Sequence, residues 1–136
     1  MKKDDCIFCK LANGDIPTNT LYEDEDFRVF LDASPATKGH CLIVPKEHFD
    51  DLAGLDDKVA AKVLPLAKKM MKLLSDKLNW DGFNVVQNNG ECAGQTVFHF
   101  HMHLIPRYKG DGQDINWKPG SPEEGALEKL RNEIVS

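Results

Sequence analysis

The sequence is poor in the features that would tie it to a membrane, a secretory route or a nucleic-acid polymer. No stretch approaches the about 18 consecutive apolar residues of a membrane span, and the opening MKKDDCIFCK lacks the apolar core of a signal peptide. A cytoplasmic protein is expected. Basic side chains number 17 against 22 acidic ones, and the resulting net charge of -5 opposes adhesion to a nucleic-acid backbone or an anionic bilayer. The four cysteines are too few for a disulfide scaffold, and only Cys6 and Cys9 have a telling spacing. No Gly-x-x-x-x-Gly-Lys-Ser/Thr occurs, and Gly90 to Gly94 carries no following lysine, which sets aside a P-loop phosphotransferase. A small phosphorylated ligand is still open, because a local cluster of donors can bind phosphate inside an acidic protein.

What is present describes a chain that folds. Apolar residues make up 41% and charged residues 29% of the 136 positions, within the globular range and sized for one domain spanning 1–136. Phe27 to Leu31 reads as a strand and Leu42-Ile43-Val44 as another, with turn signals at Ser34-Pro35 and Gly39, so the two should pair antiparallel. Val59, Val63, Leu66, Met70 and Leu78 recur with the period of a one-sided helix from Asp56 to Leu78, with Asp56 or Asp57 as its cap. Pro65 interrupts that pattern and predicts a kink, or a helix that starts nearer to it. Phe83 to Gln87 and Val97 to Ile105 read as two further strands, the second stopping at Pro106. From Tyr108 the chain becomes a tail rich in glycine, proline and charge, ending in a short amphipathic helix from Leu127 to Val135. Two hairpin-like pairs separated by a long helix imply an α+β domain around an antiparallel β-sheet.

The richest segment is Phe98-His99-Phe100-His101-Met102-His103-Leu104. Apolar and histidine residues alternate there with the period of two that sends neighbours to opposite strand faces. One face is core and the other is imidazole. At a rise of ~3.3 Å per residue the outer two histidines stand ~13 Å apart, too far to share one metal ion, so the strand can carry one site towards each end.

Cys6 and Cys9 have the gap that lets two thiolates meet one tetrahedral zinc. Of the five histidines, His48 and His99 are candidates for the other two ligands once the remaining three are assigned to catalysis. A redox pair or free thiols are the competing readings. For catalysis, an imidazole is a competent nucleophile towards phosphorus near neutral pH, provided that its second nitrogen donates to an acceptor and so fixes the tautomer. His101 is central on the imidazole face, with His103 one step beyond.

The His-x-His-x-His run follows Gly94-Gln95-Thr96-Val97, and Gly39-His40 leads through to Pro45-Lys46-Glu47-His48. These motifs, in this order over about residues 5 to 107, closely resemble the signature of the histidine-triad (HIT) superfamily, and most of all its Hint-like prokaryotic branch. The resemblance implies a HIT-like fold and a nucleotide hydrolase or transferase working through a covalent nucleotidyl-histidine. His101 would be the nucleophile, with His40 and His103 lining the phosphate site. Cys6, Cys9, His48 and His99 would hold a structural zinc, and the chemistry itself requires no catalytic metal. Asp32 would hold the ribose hydroxyls, although its place before a Ser-Pro turn equally suits a turn residue. Asn88, Gln95 and Thr96 would place donors near the phosphate and leaving group. Ile7, Phe8, Phe30 and Leu31 would form the pocket for a purine base, although apolar residues at such positions also serve as core. A homodimer is implied as well, with Trp117 either contacting a partner subunit or substrate, or covering its own core.

Three functions follow: cleavage of a nucleoside monophosphate, AMP or GMP, from an amine-like substituent; hydrolysis of dinucleoside polyphosphates by the same chemistry; or a zinc-stabilised nucleotide- or partner-binding protein whose turnover is incidental.

Overall fold

The computed structural model describes residues 1–136. In chain order the elements are α1 (Ile7–Ala12), β1 (Thr20–Glu23), β2 (Phe27–Leu31), β3 (Cys41–Pro45), α2 (Asp57–Leu78), β4 (Gly82–Val86), a single 3-10 turn (Glu91–Ala93), β5 (Met102–Arg107) and α3 (Ala126–Val135). The five strands form one antiparallel sheet in the order β1-β2-β3-β5-β4. Both expected pairs are present, and the central β3–β5 ladder joins them.

Side-chain alternation along the strands decides what lies on each face. Phe27 and Val29 of β2, Cys41 and Ile43 of β3, and Met102 and Leu104 of β5 pack against Val63, Leu66, Ala67, Met70 and Leu74 of α2. The intervening residues Phe30, Leu42 and Val44 meet α1 through Ala12, Phe8 and Leu11 on the opposite face. Being covered on both sides, β3 is buried at every position and therefore reads as an unbroken apolar run, CLIVP. Because Leu42 pairs with His103 and Ile43 with Met102, the histidine face is the α1 face.

Helix α2 begins at Asp57 with Asp56 as its cap, whose carboxylate accepts from the N–H groups of Lys58 and Val59. It ends at Asn79, which takes the left-handed conformation with φ 51°. The expectation that Pro65 would push the helix start towards itself is corrected, since the helix runs unbroken through it. Pro65 and Ala61, whose carbonyl would otherwise accept the missing N–H, both lie on the exposed side, while five buried side chains hold the other face. The four larger ones, Val63, Leu66, Met70 and Leu74, each contribute on the order of 1.5–3 kcal/mol.

The last strand also differs from expectation, covering Met102–Arg107 in place of Val97 to Ile105. Pairing with β3 ends at Ile43–Met102, and beyond it the Phe100 N–H turns to the carbonyl of Phe49. Phe98, expected on the core face, is 50% exposed. At the other end Pro106 is accommodated because β3 no longer flanks it and only β4 does. Helix α1 and the short edge strand β1 were not foreseen. The C-terminal helix forms at Ala126–Val135, but every residue from 116 to 136 is exposed. Trp117, 83% exposed, does not cover its own core. No helix is long and apolar enough to cross a membrane.

Candidate active site and metal centre

Four ligand-type side chains converge where α1, the segment after β3 and the approach to β5 meet. Cys6 Sγ lies 3.4 Å from His99 Nδ1, Cys9 Sγ lies 3.3 Å from His48 Nδ1, and Cys9 Sγ lies 3.4 Å from His99 Nδ1. All four ligand atoms fall within 4.8 Å of one another. Two ligands on a tetrahedral zinc at about 2.1 and 2.3 Å stand roughly 3.6 Å apart, so the cluster fits that ion with little movement. The proton arrangement agrees with this fit. His99 Nε2–H donates to the Pro45 carbonyl at 2.8 Å and His48 Nε2–H donates to Asp50 at 2.7 Å, which leaves both Nδ1 lone pairs turned to the thiols. Burial, with His48 adding to it, pushes the His99 ring down to about 4, so its lone pair is available. Burial pushes the Cys9 thiol up, and a cation is what would hold it as thiolate.

Asp32, His40 and His103 also converge, but their protons are arranged for hydrogen bonding to one another. The Ala36 N–H donates to His40 Nδ1 at 2.9 Å, which puts the His40 proton on Nε2. That Nε2–H donates to His103 Nδ1 at 3.0 Å and lies 3.5 Å from Asp32 Oδ2. The proton of His103 is therefore on its Nε2, the nitrogen left free to donate to a ligand. A metal at this cluster would have to break the Ala36–His40 bond or remove a second ring proton, so the residues do not suit one. Asp32 also caps its turn, its Oδ1 accepting from the Ser34 N–H at 2.8 Å.

His101 is 7% exposed, and its Nδ1–H donates to the His99 carbonyl at 2.8 Å. Its Nε2 is the unprotonated nitrogen. Burial lowers its affinity for a proton, as it does for His40, while burial together with His101 and His40 brings His103 down to about 4. The site thus holds three neutral imidazoles in defined tautomers at pH 7.

His101 and His103 line a cleft of about 620 Å³ together with Phe8, Phe30, Leu31, Asp32 and Thr96. Leu11, Pro17, Thr18, Asn19, Ala33, Pro35 and Leu42 complete its wall, residues that sequence reasoning missed because they come from loops, from the short helix α1 and from the neighbouring strand β3. Phe8 stands edge-on to His101 with ring centroids 4.8 Å apart. Ile7, Gln95 and Asn88 are not on this cleft. Ile7 is 48% exposed on a separate depression beside Cys6 and His48. Gln95 is buried with its amide fully committed, donating to the carbonyls of Asp50 and Val97 and accepting from the Gly90 N–H. It holds the turn that carries Thr96. Asn88 lies beside Gly94, whose positive φ of 100° shapes the same turn. Asp50 and Ala36 were also missed. Asp50 had a faint signal in the His48-x-Asp50 spacing, whereas the Ala36 contribution is a backbone N–H and has none.

Comparison with known proteins places this geometry. The HIT domain family matches residues 13–110. Adenosine 5'-monophosphoramidase of Schizosaccharomyces pombe is 42% identical over 134 residues, 96% of each chain. A Streptococcus mutans crystal structure superposes with a TM-score of 0.92 at 43% identity, covering 98% of this chain and 85% of that one. A zinc-bound histidine-triad protein from Mycobacterium smegmatis superposes with a TM-score of 0.77 at 35% identity, covering 95% of this chain and 97% of that one. With a family match over most of its length and relatives above 40% identity along the whole fold, the chain belongs to the HIT family.

Proposed function

We propose that the protein cleaves a purine nucleoside monophosphate, AMP or GMP, from an amine-like substituent through a covalent nucleotidyl-His101. The observation that carries this reading is the bond from His101 Nδ1–H to the His99 carbonyl, which leaves a neutral Nε2 lone pair at a cleft of nucleotide size. Nε2 attacks the α-phosphorus, the N–P bond forms, and the bond to the leaving nitrogen breaks. The leaving amine takes a proton that solvent supplies and the neutral His40–His103 pair relays, and water then cleaves the nucleotidyl-imidazole, giving the monophosphate and releasing one proton. His103 Nε2–H and Thr96 donate to phosphate oxygens, Asp32 accepts from the ribose hydroxyls, and Phe8, Phe30 and Leu31 flank the base. The Schizosaccharomyces pombe relative, named a monophosphoramidase, supports this substrate class.

Cys6, Cys9, His48 and His99 are read as the ligands of a structural zinc, which agrees with the zinc-bound relative. The four unbridged cysteines accord with a cytoplasmic location. A homodimer is the assembly proposed. The exposed stripe of Leu127, Leu130 and Ile134 on α3, the exposed Trp117 and the unpaired edge of β4 are surfaces that a second copy would cover.

The test is to quench a reaction with an adenosine phosphoramidate and search the His101 peptide for an adenylate mass increment. An increment on another residue, or none during turnover, overturns the mechanism. A larger kcat/KM for a dinucleoside polyphosphate would change the substrate class and leave the chemistry intact.

A further inference from the structure

Helix α1 belongs to the metal cluster and to the cleft at once. Cys6 and Cys9 bracket Phe8, whose ring lies 4.8 Å from His101, 6.2 Å from His99 and 6.4 Å from Phe30, edge-on in each case. The two ends of the helix are held differently. At the C-terminal end Asn13 donates its amide to the carbonyls of Cys9 and Lys46, and Arg28 donates to the carbonyl of Ala12. These bonds tie the last turn to β2 and to the residue that follows β3, whatever the thiols hold. The long-range polar contacts of the first turn are all made by the two sulfur atoms, to His48 and His99.

We propose that metal occupancy at Cys6, Cys9, His48 and His99 sets nucleotide affinity at the His101 cleft by holding Phe8 in the cleft wall. The inference rests on the metal and nucleotide readings of these two clusters. With a cation present, the four ligands fix the first turn of α1 and hold the Phe8 edge against the His101 ring, forming one wall of the cleft. Without it, two sulfur and two nitrogen atoms at 3.3 to 3.4 Å keep only weak mutual hydrogen bonds. The first turn loosens while Asn13 and Arg28 retain the last, and Phe8 leaves the cleft. The His101 tautomer survives, because the bond to the His99 carbonyl lies within the same short segment. Metal loss should therefore act on nucleotide binding more than on the chemical step. A metal that served stability alone would lower the amount of folded protein and leave the affinity of the folded fraction unchanged.

The experiment measures AMP binding to wild-type protein and to Phe8→Ala, each metal-loaded and chelated, well below their melting temperatures. Chelated wild type should bind AMP about tenfold more weakly, with KM following and kcat little changed. Metal-loaded Phe8→Ala should show the same loss while retaining its metal by elemental analysis, and Phe8→Tyr should restore the affinity. Chelation of Phe8→Ala should add little, since both changes remove the same contact. Full affinity in metal-loaded Phe8→Ala, or equal chelation effects in Phe8→Ala and wild type, overturns the proposal. If the chelated forms unfold, Asp50→Ala at limiting zinc replaces them, since it weakens the metal and keeps all four ligands: AMP affinity that follows zinc occupancy supports the proposal, and affinity independent of occupancy overturns it. If AMP binds to no form, the nucleotide reading fails, and the proton NOE between the Phe8 and His101 rings decides the coupling: its loss on chelation supports it and its persistence overturns it. Protein purified without metal and indifferent to chelators would overturn the metal reading and this inference together.

Discussion

His101 donates its Nδ1–H to the main-chain carbonyl of His99 across 2.8 Å, while the His99 side chain turns its own Nδ1 towards Cys6 and Cys9. One residue thus orients the nucleophile with its backbone and closes the metal cluster with its ring. Substituting the His99 side chain would leave the carbonyl in place, so the tautomer of His101 depends on the main-chain path and not on any single side chain.

Replacing His101 removes the attacking nitrogen and leaves the walls of the cleft. His101→Ala and His101→Gly should lose roughly three or more orders of magnitude in kcat and keep AMP affinity near that of the unmodified protein. Single-turnover kinetics and AMP titration of the same samples check both halves. Near-normal turnover in His101→Ala would remove the residue from the mechanism.

Elemental analysis of protein prepared without chelator should return one zinc per chain. Four protein ligands leave no open position for water, and chelation should lower Tm. Asp50 accepts from His48 Nε2–H at 2.7 Å. Asp50→Ala should weaken metal affinity by about 10–100-fold without removing a ligand, measured against a chromophoric chelator, and Cys9→Ser should abolish tight binding.

Much of this site was legible in the sequence, because side-chain alternation is a property of extended backbone whether or not ladder bonds form. His99, His101 and His103 share a face although only His103 lies within β5. The strand start was not legible, since it depends on where the neighbouring strand stops offering bonds. The Pro45 carbonyl, near the end of β3, accepts from the His99 ring, and the ladder does not continue. Gln95 shows the same limit, its amide being absorbed by carbonyls and an N–H of residues that the fold brings to it. Helix α1 has six residues, too few for a periodic pattern. The Cys6-x-x-Cys9 spacing was readable there, and the position of Phe8 beside His101 was not.

Acid should destabilise the fold through His103. Burial, His101 and His40 bring its ring from 6.5 to about 4 in the folded state. Between those values the unfolded chain binds the proton and the folded one does not, so stability is fully present above 6.5 and falls as the pH drops towards 4. Urea midpoints at pH 7 and pH 5 should differ more for wild type than for His103→Asn. Equal slopes for the two proteins would show that His103 is not the group responsible.

The apolar stripe of α3 and the exposed edge of β4 should give a dimer at micromolar concentration, visible by light scattering. Leu130→Asp together with Ile134→Asp should weaken association if α3 takes part, and circular dichroism would show whether the core fold persists. A monomer for the unmodified chain would defeat the assembly proposed here.

Gly39 sits immediately before His40 with φ +92°, and a Cβ built there would lie 2.6 Å from Leu78 Cδ1 and 3.2 Å from Pro106 Cγ. Two penalties therefore apply to Gly39→Ala: the left-handed backbone, and a collision with the C-terminal turn of α2 and with β5. Gly110, with φ +77° and nothing within 4 Å of its Cβ position, carries only the first. Gly110→Ala should cost on the order of 1–2 kcal/mol, and Gly39→Ala should cost at least about 1 kcal/mol more, because a packed core yields little to an added methyl. The Leu78 side chain can turn away, but the Pro106 ring cannot, so part of the strain should pass along the chain to His40. Its carbonyl accepts from the Asp32 N–H, and its ring sits between the Ala36 N–H and His103. Gly39→Ala should therefore lose kcat as well as stability, whereas Gly110→Ala should lose stability alone. Urea denaturation and steady-state kinetics on the two variants separate these outcomes, and equal losses of stability would show that the close approach at Gly39 carries no cost.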